Sequence, residues 1–348
     1  MAAVISVRPV ANTGIQLSTL GLGGTGLANM YAVVADEEAA KLVEGAQALG
    51  VSLFDTAPCY GVGLSEQRLG AILPQLRRDS FVLSTKVGYD LVAPANGQDV
   101  GPSLFVASPR LVTHYDFSYD AAMRSIEGSL KRLGIDRVDM VAIHDPDQTA
   151  GADPTADPYA GSLFAEAMAG AYRALDELRA QKVIRAVGVG MNQWQMLVDF
   201  AREGDFDYFL CAGRYSLLRA DAGEVLLPLC AKKGISVIIG GPYSSGILAS
   251  GAVEGAMFDY APASPEILAR VRAIEDLCSE FGISLRAAAL QYPLRHAAVA
   301  SVIPGARSLD ELRQNAAALV EPVPQAFWTT ATECGLIAPD AASHPVGR

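Results

Sequence analysis

The sequence predicts an α/β fold, a single (β/α)8 TIM barrel with long loops at the C-terminal face of its strands. Three observations carry that prediction. Eight short apolar runs alternate with eight stretches of helical period, the runs are apolar throughout, and ionisable residues stand at the C-terminal ends of three successive runs. Continuous apolar strands belong to parallel sheets covered on both faces. Strand–helix alternation makes such a sheet, and barrels place their chemistry at strand C-termini. A chain of 348 residues exceeds the roughly 250 typical of such a barrel and leaves room for long loops.

The elements follow in order. A small hairpin over 4–17, turning at Asn12–Gly14, is expected to close the bottom of the barrel. Strand one spans 18–24 and helix 36–49 follows it. Strand two, 51–57, leads to helix 65–76. Strand three, 81–88, is followed by an insertion, 89–118, and then helix 119–133. Strand four, 138–145, precedes a second insertion, 146–161, and helix 162–181. Strands 184–190, 208–215, 235–241 and 298–305 carry helices 193–203, 222–233, 265–281 and 308–319. An extra helix over 284–296 precedes the last strand. Asp36, Ser65, Ser264 and Ser308 mark helix starts, being N-cap residue types. Gly50, Gly134, Gly204, Gly234 and Gly282 mark stops, where a left-handed C-cap is expected. Both insertions follow strand C-termini and so lie on the catalytic face, where loops of that length serve as lids or binding loops. The Pro-rich tail, 321–348, is expected to cross the same face. With no linker evident, residues 1–348 read as one domain.

Composition removes several classes of function. Hydrophobic residues at 51% and charged residues at 19% exclude a disordered chain. The 38 acidic against 27 basic residues give a net charge of −11, which argues against nucleic acid and against an anionic membrane surface. No apolar run reaches about 18 residues, and MAAVISVRPV lacks the charged and long apolar regions of a signal peptide. Cys59, Cys211, Cys230, Cys278 and Cys334 are odd in number and lack CxxC spacing, so reduced thiols are expected, with no disulfide framework and no metal site. The expectation is a cytoplasmic protein acting on a small molecule.

Gly21, Gly23 and Gly26 match GxGxxG, a dinucleotide-binding pattern when a helix follows at once. Here the next helix begins near Asp36, too late for its N-terminus to hold a pyrophosphate. The glycines are better read as letting a ligand approach the backbone at the top of strand one, with Gly24 and Thr25 in contact with it.

The ionisable residues carry the chemistry. Asp55 ends strand two, Lys86 ends strand three and His144 ends strand four; Tyr60 follows Asp55 by five residues. A tyrosine phenol has a pKa near 10 and is a poor acid or base at neutrality. A neighbouring ammonium favours the phenolate, so Lys86 is expected to lower the pKa of Tyr60, with Asp55 holding Lys86 from behind. His144 can hydrogen-bond a substrate oxygen. Such a group of residues moves a proton to or from a carbonyl or hydroxyl oxygen. It has no nucleophile, which favours hydride transfer over hydrolysis.

These four residues resemble the Asp, Tyr, Lys and His of the aldo-keto reductases, and the similarity runs from GLGG at 21 to the helix ending near 319. The segments DFSYDAAMRSIEGSLKRLGIDRVDMVAIHDPD (116–147), AGRYSLL (212–218) and IIGGPYSSGILA (238–249) resemble the NAD-linked aldose 1-dehydrogenase and pyridoxal 4-dehydrogenase subgroup. The resemblance implies a nicotinamide cofactor lying across the barrel top. It places Asn192 at the carboxamide, with Arg214 substituting for a missing Gln. It sets Tyr243 in the place of a stacking aromatic, and Ser244, Ser245, Gly246 and Leu248 along the pyrophosphate. Gly305, Arg307, Glu311 and Asn315, within IPGARSLDELRQN (303–315), hold the adenosine end. A carboxylate at 311 repels a 2′-phosphate and favours NAD over NADP, although Arg307 offers a phosphate partner. Cys59, Tyr89, Trp194, Arg214 and the segment 146–161 are substrate candidates, and Asp145 and Asp147 could bind sugar hydroxyls. The resemblance implies NAD-dependent oxidation of the C1 hemiacetal of an aldose of the L-fucose or D-threo type to a lactone, with Tyr60 as general acid/base. The alternatives are oxidation of pyridoxal to its lactone, NADPH-dependent carbonyl reduction, and a non-catalytic nucleotide-binding regulatory barrel.

Overall fold

The computed structural model describes residues 5–96, 103–147 and 162–339. Its main sheet has eight strands: β1 (Leu22–Gly23), β2 (Leu53–Asp55), β3 (Val82–Val87), β4 (Met140–His144), β5 (Ala186–Met191), β6 (Tyr208–Ala212), β7 (Ser236–Gly240) and β8 (Val299–Ile303). Neighbours pair in parallel from β1 to β8 in chain order. Leu20 bridges Val302, the Gly21 amide donates to the Val302 carbonyl at 2.9 Å, and the Val302 amide to that of Thr19 at 2.9 Å. The last strand therefore meets the first and the sheet closes as a barrel. Registers Asp55↔Ser84, Lys86↔Ala142 and His144↔Gly190 carry the three ionisable strand-end residues around one rim.

The predicted hairpin forms, with Val7–Val10 antiparallel to Ile15–Ser18. Val10, Ile15 and Leu17 join Leu53, Met140 and Tyr208 in an apolar cluster, so the hairpin's inward face plugs the barrel. Each such aliphatic side chain contributes about 1.5–3 kcal/mol on full burial. The first barrel strand starts later than predicted. Ser18 ends the hairpin and its amide and hydroxyl exchange hydrogen bonds with Ser52 at 2.9 and 2.8 Å, an anchor made by side chains instead of a ladder.

Ser118, Ser264, Ser284 and Ser308 cap helices by accepting from amides three residues on. Asp36 lies inside the first turn behind Ala35, and the Ser65 hydroxyl accepts from Thr56 at 2.8 Å instead of capping. Gly134, Gly234 and Gly282 are left-handed caps, as expected. Gly204 is not, with φ −121°; a Cβ there would lie 2.3 Å from the Phe206 ring, so packing excludes a side chain. The helix predicted over 222–233 begins at Leu226, because the Ala222 and Gly223 amides bond to Arg214 and Ala220 in a turn. In the stretch predicted as helix 162–181, Phe164–Ala167 and Arg173–Ala180 flank a π-helical turn, Met168–Tyr172. The Ala171 amide donates to the Phe117 carbonyl at 2.7 Å. That carbonyl inserts where a Cβ on Gly170 would sit, 2.3 Å away.

The first insertion is a second hairpin, Tyr89–Val92 with Val112–Tyr115. Its arm reaches the loop after β1: the Tyr31 amide donates to Leu104 at 2.8 Å and that of Val106 to Asn29 at 3.1 Å. Residues 148–161 of the second insertion lie outside the described residues, as do 340–348 of the tail. Helix Gln325–Glu333 buries Phe327 and Trp328, which stack near Phe281 and Tyr292, and beyond it the Leu336 carbonyl accepts from Arg270, whose guanidinium also donates to Leu217 and Leu218 after β6. Among the described residues no helix is long and apolar enough to cross a membrane, and no group of three His, Cys, Asp or Glu is placed to hold a metal. All five cysteines are free.

Candidate active site

Lys86 is fully buried and Asp55 nearly so. The Lys86 ammonium donates to Asp55 Oδ1 at 2.6 Å and to the Thr56 carbonyl at 2.8 Å. The Ser84 hydroxyl donates to Asp55 Oδ2 at 2.8 Å. Both charges are thus fixed in place beneath the cleft, as a buried ion pair must be to offset its desolvation.

Tyr60 stands on the turn after β2. Its ring lies over the Lys86 ammonium, 4.7 Å from Nζ to the ring centroid, and edge-to-face with His144 at 5.7 Å. Gly61 follows with φ +61°, and a Cβ there would come within 2.8 Å of the Ala28 carbonyl. Glycine therefore lets the turn lean against the β1 loop and hold Tyr60 over the rim. The expected lowering of the Tyr60 pKa is reversed. Burial pushes the phenol well above its usual value, and the Asp55 charge adds to the rise. The reason is that Lys86 is already neutralised by a carboxylate at 2.6 Å, leaving little net field to offset desolvation.

Burial, and then the Lys86 charge, hold His144 well below the usual imidazole range, so the ring is neutral. Cys59 Sγ lies 3.4 Å from Nδ1, and Asp145 Oδ2 lies 3.6 Å from Nε2. Burial raises the Cys59 thiol, which keeps its proton for donation to Nδ1. A neutral ring accepting at Nδ1 carries its proton on Nε2, the side facing the carboxylate.

Asp55, Tyr60 and His144 open into a cleft of about 1200 Å³, more than the roughly 300–1,000 Å³ of a single small-ligand pocket. Its walls include Gly24, Thr25, Asn192, Tyr243, Ser244, Ser245, Gly246, Gly305, Arg307, Glu311 and Asn315, together with Cys59 and Tyr89 near the tetrad. Ser244 and Ser245 both adopt left-handed backbone, φ 48° and 60°, at about 1–2 kcal/mol each. Hydrogen bonds between the Ser244 and Ser216 hydroxyls at 2.9 Å, and from the Tyr260 amide to the Ser245 hydroxyl at 3.0 Å, hold that turn. Such strain clusters where a ligand is clamped. The Tyr243 hydroxyl donates to Asn315 at 2.7 Å. A cleft of this size, with glycine-rich walls from β1, β7 and β8, fits a nicotinamide dinucleotide and a substrate together.

Three sequence candidates fall elsewhere. Leu248 is fully buried in the core, and Trp194 packs against the core; neither lines the cleft. Arg214 is also absent from the lining. Its Nη1 bonds both Asp259 oxygens at 3.1 Å and its Nε the Asn192 carbonyl at 3.1 Å, so it ties the β5 and β7 loops together. Phe105, Tyr31, Tyr260 and Arg286 line the cleft without having been singled out from sequence. Arg286 stands over the Tyr243 ring at 5.8 Å; its position in a helix that reads as buried hid it. At the adenosine end the Arg307 amide donates to Glu311 at 2.9 Å and the guanidinium lies 3.5 Å from the same carboxylate, so the two opposing charges cancel each other.

Known proteins fit this arrangement. Residues 19–335 match the model of the Aldo/keto reductase family. The chain is 38% identical over 342 residues to pyridoxal 4-dehydrogenase of Microbacterium luteolum, covering 95% of this chain and 97% of that protein. It is 34% identical over 339 residues to D-threo-aldose 1-dehydrogenase of a Pseudomonas species, covering 95% and 98%. The solved holo form of aldo-keto reductase AKR11C1 from Bacillus halodurans superposes with a TM-score of 0.74 at 23% identity, over 99% of both chains, which bears on the fold. The chain belongs to the aldo/keto reductase family, whose members are oxidoreductases that bind a nicotinamide cofactor.

Proposed function

We propose that this oxidoreductase oxidises the C1 hemiacetal of an aldose to a lactone with NAD. The observation that carries the reading is the convergence of Tyr60, the buried Lys86–Asp55 pair and a neutral His144 at one end of a cleft long enough for a dinucleotide. The nicotinamide, when bound, supplies the hydride acceptor. The protein's own groups handle the proton. His144 Nε2–H donates to the substrate's reacting oxygen and orients it. Tyr60 takes the proton of the anomeric hydroxyl in oxidation, or returns it to a carbonyl in reduction; proton transfer of this kind is worth roughly 10²–10⁴-fold in rate. Lys86 stays paired to Asp55 and holds the Tyr60 ring by its charge.

The 34% identity to D-threo-aldose 1-dehydrogenase supports the aldose. The 38% identity to pyridoxal 4-dehydrogenase supports a second reading with the same chemistry, since pyridoxal closes to a cyclic hemiacetal. Glu311 supports NAD over NADP, in that freeing Arg307 for a 2′-phosphate requires breaking its contact with this carboxylate. The roles of Asn192, Tyr243, Ser244, Ser245, Gly246, Gly305 and Asn315 toward the cofactor belong to the same proposal. The test is initial-rate formation of reduced nicotinamide with L-fucose and with pyridoxal, each with NAD and with NADP. Turnover of L-fucose with NAD supports the reading. Turnover of pyridoxal alone transfers it to the second substrate, and silence with both overturns it.

A further inference from the structure

Asp145 follows His144 directly, lines the cleft, and has no place in the proton transfer just described. Its backbone is left-handed, φ +48°, a conformation costing a non-glycine residue about 1–2 kcal/mol. The Asp145 amide is anchored to the Gly190 carbonyl at 3.0 Å, so the strain is built in and aims the side chain from the end of β4. That side chain is only 15% exposed. A buried carboxylate needs donors, yet among the described residues the two nearest Oδ2 are long: the Tyr89 hydroxyl at 3.5 Å and His144 Nε2 at 3.6 Å. Good N–H···O and O–H···O bonds are about 2.5–3.2 Å. The acceptor is under-filled at the spot beside the residue that grips the reacting oxygen.

We infer that Asp145 is a specificity-determining residue that accepts a hydrogen bond from a substrate hydroxyl next to the reacting carbon. The cleft then selects hydroxylated carbonyl compounds and their hemiacetals over simple aldehydes. This rests on the proposed oxidoreductase reading and narrows its substrate class. Burial lifts Asp145 to about 7, with Asp147 adding to the rise and Lys86 and the Tyr89 bond opposing it. With the uncharged His144, Cys59, Tyr60, Tyr89 and Tyr115 also near it, the group is an acceptor-only carboxylate above neutrality and can protonate when nothing donates to it. A site whose polar group is left unpaired by an analogue lacking a hydroxyl discriminates by up to about 10⁴-fold; protonation reduces that here.

The matched substrates are glyceraldehyde and propanal, the same carbon chain with and without hydroxyls, reduced with NADH by the full-length protein and by Asp145→Asn. The expected result is a preference of the unaltered protein for glyceraldehyde of at least about 100-fold in kcat/KM. In Asp145→Asn that preference falls to under tenfold, mainly through KM for glyceraldehyde, while propanal turnover changes less than about threefold. Equal losses with both aldehydes, or an unchanged preference, overturn the inference. If Asp145→Asn does not fold, judged by its thermal transition, the unaltered protein decides alone, since a preference under tenfold, or no turnover of glyceraldehyde, overturns it. Failure of the proposed function is read separately, as silence with L-fucose and pyridoxal while the aldehyde pair is still reduced.

Discussion

Replacing Lys86 by Met removes the partner of a buried carboxylate and leaves its shape nearly intact. Asp55 is 1% exposed and, among the described residues, retains only the Ser84 hydroxyl as a hydrogen-bond donor. Breaking a buried pair by removing one partner costs about 3–5 kcal/mol. An independent bound comes from the alternative open to the orphaned acid, which is to bind a proton. An ordinary aspartic acid has a pKa of about 3.9, and each unit is worth about 1.4 kcal/mol, so neutralising it at pH 7 costs about 4 kcal/mol. At pH 5 the same step costs about 1.5 kcal/mol. Lys86→Met is therefore expected to lose about 3–4 kcal/mol of unfolding free energy at pH 7 and about 1.5 at pH 5, measured by urea denaturation. The double variant Asp55→Asn/Lys86→Met should recover at least about 2 kcal/mol at pH 7, the coupling expected for groups in direct contact. Turnover should be lost in both variants, because Tyr60 loses the charge beneath it in each. A penalty independent of pH, or a double variant no more stable than Lys86→Met, would refute the account of the pair.

Three further outcomes follow from the geometry. Tyr60→Phe should lower kcat by roughly 10²–10⁴-fold with unchanged cofactor affinity and thermal stability, since among the described residues its hydroxyl makes no hydrogen bond that holds the fold; near-normal turnover would refute the assignment. His144 and Asp145 should oppose each other in the pH dependence of stability. Below about 6.5 the unfolded chain protonates its histidine while the folded one does not, which removes about 1.4 kcal/mol per pH unit. Over the same range folded Asp145, raised to about 7, binds a proton that the unfolded chain takes up only near 3.9, which adds a similar amount. Asp145→Asn should thus fall relative to the unaltered protein by about 2 kcal/mol between pH 6.5 and 5, and a constant difference by denaturant titration would contradict this. Glu311→Gln frees an Arg307 that is about half exposed, so it should raise kcat/KM with NADP relative to NAD by about tenfold at little cost in stability; no change in the ratio would remove charge at 311 as the basis of selectivity.

What was legible in the sequence depended on range. Barrel class, strand order and the tetrad could be read because apolar runs, their ends and the residues on them are local features. Cap serines at 264 and 308 could be read for the same reason. Arg214 could not, since its partner, Asp259, is 45 residues away and only the fold shows that the guanidinium is occupied. The π-helical turn is set by the Phe117 carbonyl, contributed by a loop some 50 residues upstream of Ala171 and invisible in helical periodicity. Gly204 reads as a cap by type and position, yet its requirement comes from the Phe206 ring.

The Tyr60 pKa shows where a sound local argument stops. An ammonium beside a phenol lowers its pKa only if that charge is not already compensated. Here the Lys86 charge is met by Asp55 at 2.6 Å, the Asp55 charge itself disfavours a phenolate, and burial disfavours it further. The tetrad by itself therefore favours the protonated phenol, the form that donates to a carbonyl oxygen. Oxidation needs the same proton to move the other way, onto Tyr60 from a substrate hydroxyl, and so requires the phenol to have lost its own first. Within the tetrad only the Lys86 charge favours that loss, which is why its removal is expected to abolish turnover.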